Sequence, residues 1–311
     1  MKPVLFASTK PLERAENMKA LFDAYDGEKE HVQVDPWRRH PEIRSGKYDL
    51  MVIDEYPTES PGKCILIGHG IDGGKTGGLL MPRPYYRPEQ AELITYVIAT
   101  SISMCSLIAR QTGVPESRVL PLGMPRTDVY KTRRKGDGCT ELANKRAYLY
   151  APTYRSKEET PLPDIDWKWL DDQLHDDEMI AVKVHTMSRM IIDRTYKHIK
   201  EFVPDLPTAP FLYDCDVLIT DYSTIMVDAY LLNKPVVLLE KNKGYTETRG
   251  MYLDYPVMYC SRYATNEREL LDMIRSADCL GEADTTCRQL LAGACDGHAA
   301  ERICKLIKEL A

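Results

Sequence analysis

No stretch of the sequence approaches the ~20 consecutive apolar residues that a membrane-spanning helix needs. The opening, Met1-Lys-Pro-Val-Leu-Phe-Ala7, has too short an apolar part for a secretory signal and reads as a first strand. Positive charge is not in excess. The net charge is −6 and the pI near 5.7, with 16 basic against 17 acidic residues in 1–130 and 25 against 30 in 131–311. A nucleic-acid surface is therefore not expected, because phosphate binding draws on clustered Lys and Arg. The nine cysteines include no C-x-x-C pair, and the closest series, Cys279, Cys287, Cys295 and Cys304, lacks zinc-type spacing. Reduced packing thiols in a cytoplasmic protein are expected in their place. Internal repeats and low-complexity tracts are missing as well.

What is present is a globular composition, 43% hydrophobic and 28% charged over 311 residues, a length that suits two domains. Strand-like and helix-like segments alternate. Val4 to Ala7, Tyr48 to Asp54, Cys64 to Ile67 and Arg118 to Leu122 read as strands. Leu12 to Tyr25 and Ser101 to Thr112, closed by Gly113, read as helices, and Ala91 to Ala99 mixes both signals. After a charged, Gly-containing stretch at 131–145, strands are expected at Ala147 to Ala151, Met179 to Val184, Val217 to Ile219 and Pro235 to Leu239. Helices are expected at Trp167 to Leu174, Leu270 to Ala277 and Ala299 to Leu310. Such alternation predicts parallel sheets covered on both faces. The fold class is α/β: two Rossmann-like domains, 1–135 and 136–311, facing across a cleft, with ligands at the C-terminal ends of strands.

The segment Asp216-Val-Leu-Ile-Thr-Asp-Tyr-Ser-Thr224 joins a buried strand to a polar turn and a periodic apolar helix ending near Tyr230. Ser223 and Thr224 fall where free backbone N–H groups and the helix dipole favour an anion; an ordinary N-cap is the alternative. Ile65 to Gly78 imitates a nucleotide phosphate loop, but G-x-x-x-x-G-K-[ST] ending at Thr76 requires glycine where His69 stands. His69, just past a strand in a glycine-rich loop, is a candidate general base, or else a turn residue. Lys183 and His185 alternate at another strand end and are expected on one face, suited to a diphosphate or simply exposed to water. Arg155 adds a bidentate phosphate donor or a surface ion pair.

Tyr150-Ala-Pro-Thr-Tyr-Arg155, Lys183-Val-His185 and Asp216 to Thr224 with Asp228 together resemble the CDP-glycerol glycerophosphotransferases, the primases and polymerases of teichoic-acid and related capsule synthesis. His69-Gly70 with Lys75, Gly123-Met-Pro-Arg-Thr-Asp128, Tyr245 with Arg249-Gly250, and Asp296-Gly297 with Arg302 match in the same order, over residues 60–310. The resemblance implies a glycosyltransferase-B-like fold. It also implies transfer of glycerol phosphate or another polyol phosphate from CDP-glycerol or a similar CDP-polyol, with release of CMP. The acceptor is a hydroxyl of a polyol phosphate or glycan, free or lipid-linked. His69 and His185 are then the catalytic residues. Arg155, Lys183, His185, Asp221, Ser223 and Thr224 are the donor-binding set, and Lys75, Arg126 and Asp128 belong to the acceptor side. No metal-ligand set is expected and no cofactor is required, although Mg²⁺ is compatible with the chemistry. Membrane association is expected to be peripheral at most, with the enzyme in the cytoplasm at the inner face. The rival readings are a nucleotide-sugar glycosyltransferase and a non-catalytic polymer-binding protein.

Overall fold

The computed structural model describes residues 2–35, 38–55, 57–68, 87–153, 164–185, 191–192, 194–239 and 259–311. They form two compact units, each built on its own six-stranded parallel sheet. In the first, β1 (Val4–Ser8), β2 (Lys29–Gln33), β3 (Leu50–Ile53), β4 (Lys63–Leu66), β5 (Tyr96–Ile98) and β6 (Val119–Leu120) lie in the order β2-β1-β3-β4-β5-β6. In the second, β7 (Arg146–Tyr150), β8 (Glu178–Val182), β9 (Ile199–Glu201), β10 (Val217–Thr220), β11 (Val236–Leu239) and β12 (Tyr263–Ala264) lie in the order β12-β11-β10-β7-β8-β9. Strands β1, β3, β10 and β11 are buried along their whole length, as central parallel strands with both faces covered must be. Their unbroken apolar runs follow from that burial.

The expected division at 135/136 is corrected on two counts. The first unit ends at Lys131, and it also takes back residues 289–311, so that the second unit, from Thr132 to Arg288, is inserted into it. The reason is hydrophobic. The returning helix Ala299–Leu310 buries Ile303 and Ile307 completely against Val4, Phe6, Met18, Leu21, Val52 and Ile65 of the first core. The helix expected from Leu12 to Tyr25 is divided at Ala15 into a 3-10 turn (Leu12–Arg14) and an α-helix (Glu16–Ala24). The mixed segment 91–99 resolves into a helix (Pro88–Glu92) and β5.

One ionic tie fastens the inserted unit. Glu178, at the start of β8 and 4% exposed, accepts from the Tyr148 hydroxyl at 2.7 Å, the His175 N–H at 2.9 Å and Arg275 Nε at 3.0 Å. Burial alone would raise its pKa, but Arg275, the His175 N–H and Tyr148 outweigh it and hold the carboxyl at about 2. A depressed pKa stabilises the fold fully above the ordinary value of 4.5, and that stabilisation is lost as pH falls through about 2. Glu178→Gln is therefore expected to be less stable than the wild type at neutral pH, with the gap closing over that acid window. Urea titrations at several pH values check this; a gap independent of pH would contradict it.

Candidate functional site

Counted within the inserted unit, the strand order runs 6-5-4-1-2-3, and β7 pairs with β10 on one side and β8 on the other. The order reverses at β7. In open parallel sheets the crevice at such a reversal, beyond the carboxyl ends of the strands, is the binding position. Three of the segments singled out in the sequence arrive there: Ala151-Pro152-Thr153 after β7, Lys183-Val184-His185 after β8, and Asp221 to Thr224 after β10.

The turns are stitched together below the surface. The Thr220 hydroxyl donates to the Ala151 carbonyl at 2.6 Å, and the Ala151 N–H to Ile219 O at 2.9 Å. Asp221, 2% exposed, accepts with Oδ1 from the N–H groups of Thr153 and Tyr222, both at 2.7 Å. Asp221 is thus a brace for two turns, and its Oδ1 is committed to backbone. Above this buried layer, Ser223 and Thr224 are half-buried and His185 is exposed. Removing a partner from buried N–H groups costs about 1–3 kcal/mol per group. Asp221→Ala is accordingly expected to lose stability by that order, and Asp221→Asn, which keeps the acceptor oxygen, to lose less. Equal losses in urea titration would show that the carboxylate does not serve as this brace.

One expectation is corrected here. Lys183 and His185 do not share an exposed face, because β8 ends at Val182 and strict alternation ends with it. Lys183 is 2% exposed, its Nζ donating to Pro204 O at 2.7 Å and Val184 O at 3.1 Å. Burial lowers its pKa, a shift that the charge of Asp205 opposes. The helix after Thr224 spans Ile225–Leu231, as its apolar periodicity predicts, and Thr224 at its N-cap makes no side-chain capping bond. With fewer than two turns of aligned dipoles, the strand ends position this site more than the helix does. His69, Lys75 and Arg155, with Tyr245, Arg249 and Gly250, lie outside the described residues.

Arg126 and Asp128, expected on the acceptor side, lie in the first unit within the 3-10 segment Pro125–Lys131. Arg126 Nη1 donates to the Tyr130 hydroxyl at 2.8 Å and sits 3.9 Å from Glu16. Both oxygens of Asp128 accept from the returning helix, Oδ1 from Ala299 N–H at 3.0 Å and Oδ2 from Ala300 N–H at 2.8 Å. Arg302 completes the joint, donating to the carbonyls of Leu122 and Ala294 and to Asp296. The 123–128 and 296–302 motifs therefore form one structural joint. Asp128 caps the returning helix, a role that sequence reading misses because its partners lie 171 and 172 positions away.

No disulfide joins any of the nine cysteines. Burial pushes the thiols of Cys64, Cys215, Cys260 and Cys287 up to about 12, far from the reactive thiolate form. Among the described residues no group of three or more His, Cys, Asp or Glu side chains is arranged to hold a metal ion. No described helix is long and apolar enough to cross a membrane.

Residues 67–309 match the family described as CDP-Glycerol:Poly(glycerophosphate) glycerophosphotransferase. The chain belongs to this family. A teichoic acid glycerol-phosphate primase of Bacillus subtilis (strain 168) is 28% identical over 188 residues, covering 58% of this chain and 49% of that protein. A teichoic acid glycerol-phosphate transferase of Staphylococcus aureus (strain NCTC 8325 / PS 47) is 27% identical over 239 residues, covering 68% and 60%. A teichoic acid poly(ribitol-phosphate) polymerase of Bacillus spizizenii (strain ATCC 23059 / NRRL B-14472 / W23) is 25% identical over 281 residues, covering 82% and 45%. The chain thus spans between 45% and 60% of the length of these relatives. Among solved structures, the wall teichoic acid polymerase TagF superposes with a TM-score of 0.78 at 18% identity, covering 99% of this chain and 89% of that one. A UDP-N-acetylglucosamine 2-epimerase gives a TM-score of 0.61 at 12% identity, covering 99% and 96%. These likenesses agree with the sheet orders in giving a glycosyltransferase-B-like α/β fold.

Proposed function

We propose that the protein transfers glycerol phosphate, or another polyol phosphate, from a CDP-activated donor to an acceptor hydroxyl in the synthesis of a teichoic-acid-like polymer. The observation that carries this reading is the convergence of three family segments at the strand-order reversal of the inserted unit, the position where such sheets bind nucleotides. A TagF variant soaked with CDPG points to the same donor chemistry in a relative of this fold. In the proposed reaction the acceptor oxygen bonds to the donor's β-phosphorus. The bond from that phosphorus to the bridging oxygen breaks, and CMP leaves with that oxygen. His69 takes the acceptor proton. His185, Ser223, Thr224 and Arg155 hold the diphosphate and offset the charge growing on CMP. Lys183 acts from beneath, by fixing the chain that carries His185, and Asp221 fixes the turn that carries Ser223.

Release of CMP from CDP-glycerol, CDP-ribitol and a panel of UDP-sugars tests the reading, with free and lipid-linked polyol phosphates and glycans as acceptors. Turnover confined to the CDP-polyols is expected; turnover of UDP-sugars alone, or polymer binding without turnover, would overturn it. The reading requires no cofactor, and titrating Mg²⁺ and a chelator in the same assay examines that. Native thiol alkylation is expected to leave turnover intact, whereas inactivation prevented by donor would place a cysteine at the site. Whether the lipid-linked acceptor is used at a membrane face is decided by co-sedimentation with vesicles that carry it.

A further inference from the structure

We propose that Asp205 selects cytosine over uracil in the donor nucleotide by accepting a hydrogen bond from the exocyclic amine of the base. The proposal rests on the transfer reading, since it takes the donor's phosphates to lie over the turns after β7 and β10. Asp205 belongs to the turn Phe202-Val-Pro-Asp-Leu-Pro207, which leaves β9 at the same carboxyl end of the inserted sheet. One buried ammonium fastens this turn to the site. Lys183 Nζ donates to Pro204 O at 2.7 Å and to Val184 O at 3.1 Å, so the peptide leading into Asp205 and the peptide leading into His185 share a donor. The Phe202 N–H donates to Val182 O at 2.9 Å, and the Leu206 N–H closes the turn on Val203 O at 3.3 Å. The Phe202 ring packs against that of Phe211, centroids 4.6 Å apart, and Pro204 and Pro207 restrict the backbone further.

What this fixed turn presents to solvent suits a planar base. Val203 and Leu206 are 53% and 42% exposed, two of the four large hydrophobic side chains that stand exposed among the described residues, and the exposed Asp205 lies between them in the chain. Apolar shoulders take the face of a ring, and a carboxylate, which only accepts, takes its edge. Cytosine carries an amino group at the position where uracil carries a carbonyl oxygen. Asp205 therefore attracts the first base and repels the second. The spacing agrees. In the strand order β10-β7-β8-β9, β9 lies two strands from β7, roughly 10 Å away, a distance that a ribose and its phosphate bridge.

Calorimetry on the full chain with CMP, UMP and inorganic pyrophosphate tests the assignment. The wild type is expected to bind CMP about 10- to 100-fold more tightly than UMP, the worth of one such base contact. Asp205→Ala is expected to abolish that preference by weakening CMP, with the affinity for pyrophosphate unchanged. Asp205→Asn offers both an acceptor and a donor, so it is expected to strengthen UMP and leave the two nucleotides nearly equal. Three results would overturn the proposal: a wild type that does not prefer CMP, a CMP-to-UMP ratio that stays at the wild-type value in either variant, or a loss of pyrophosphate affinity as large as that of CMP. The outcome is separable from the transfer reading. A preference for CMP that Asp205 controls, in a chain that releases no CMP from any CDP-polyol, would refute the transfer and leave the base assignment standing. Release of CMP from CDP-polyols, with a nucleotide preference indifferent to Asp205, would refute the base assignment alone.

Discussion

Replacing His69 by alanine is expected to lower transfer by ~10²–10⁴-fold, the usual cost of losing a general base, with donor affinity nearly unchanged. The group that takes the acceptor proton acts in the transition state, so its loss falls on kcat and leaves ground-state binding of the donor alone. His185 is expected to behave differently. It follows β8, which pairs with β7 at the strand-order reversal, and is exposed. A group that contacts the diphosphate operates in both the ground and the transition state, so His185→Ala should weaken donor binding and turnover together. Calorimetry with CDP-glycerol and steady-state CMP release on the two variants separate the roles. The assignment is wrong if His69→Ala retains near-normal transfer, or if it loses donor affinity as badly as His185→Ala does.

The second large effect concerns the joint between the first unit and the returning chain. Gly123 has φ +86°, and its N–H donates to Ala99 O at 3.0 Å. A Cβ at this position would stand 2.2 Å from the Ala294 carbonyl oxygen and 3.1 Å from the Ala299 Cβ. Gly46 offers a matched control, since its φ is +79° with nothing within 4 Å of an added Cβ. Gly46→Ala therefore isolates the backbone penalty, about 1–2 kcal/mol. Gly123→Ala adds to it the displacement of a main-chain carbonyl that Arg302 Nη2 also holds, at 2.6 Å. Its total is expected at about 2–5 kcal/mol. Urea unfolding of the two variants gives the comparison, and equal losses would mean that the close approach of residues 294–299 to Gly123 is not a constraint on stability.

Both sheets were legible in the sequence wherever a strand is covered on two faces. Val4 to Ala7 and Val217 to Ile219 are unbroken apolar runs because no side of them meets water. Of the sheet edges, β2, β9 and β12 were not legible. β2, Lys-Glu-His-Val-Gln, and β9, Ile-Lys-Glu, are short and polar, and they are held by main-chain pairing that leaves no apolar pattern. The helix at 299–310 was evident from its periodicity, but an apolar stripe does not say which core it will cover. The returning topology followed only from Ile303 and Ile307 lying among first-unit residues. At the site, apolar runs ending in polar residues located the ends of β7 and β10 to within one residue and that of β8 to within two. The direction of Lys183 was misjudged because period-two alternation holds only inside the strand.

The return of residues 289–311 also sets an order of events during synthesis. The chain segment that carries β1 to β6 leaves the ribosome first, yet its core stays open until Ile303 and Ile307 arrive. At translation rates of about 5–20 residues per second, the interval is on the order of 10–30 s. The inserted unit has every residue of its sheet well before then, so the later-made unit is able to close first. Through that interval the apolar flank awaiting the helix is open to chaperones and to neighbouring nascent chains. A ribosome that stops between residues 288 and 299 would leave the earlier half, not the later one, unfinished.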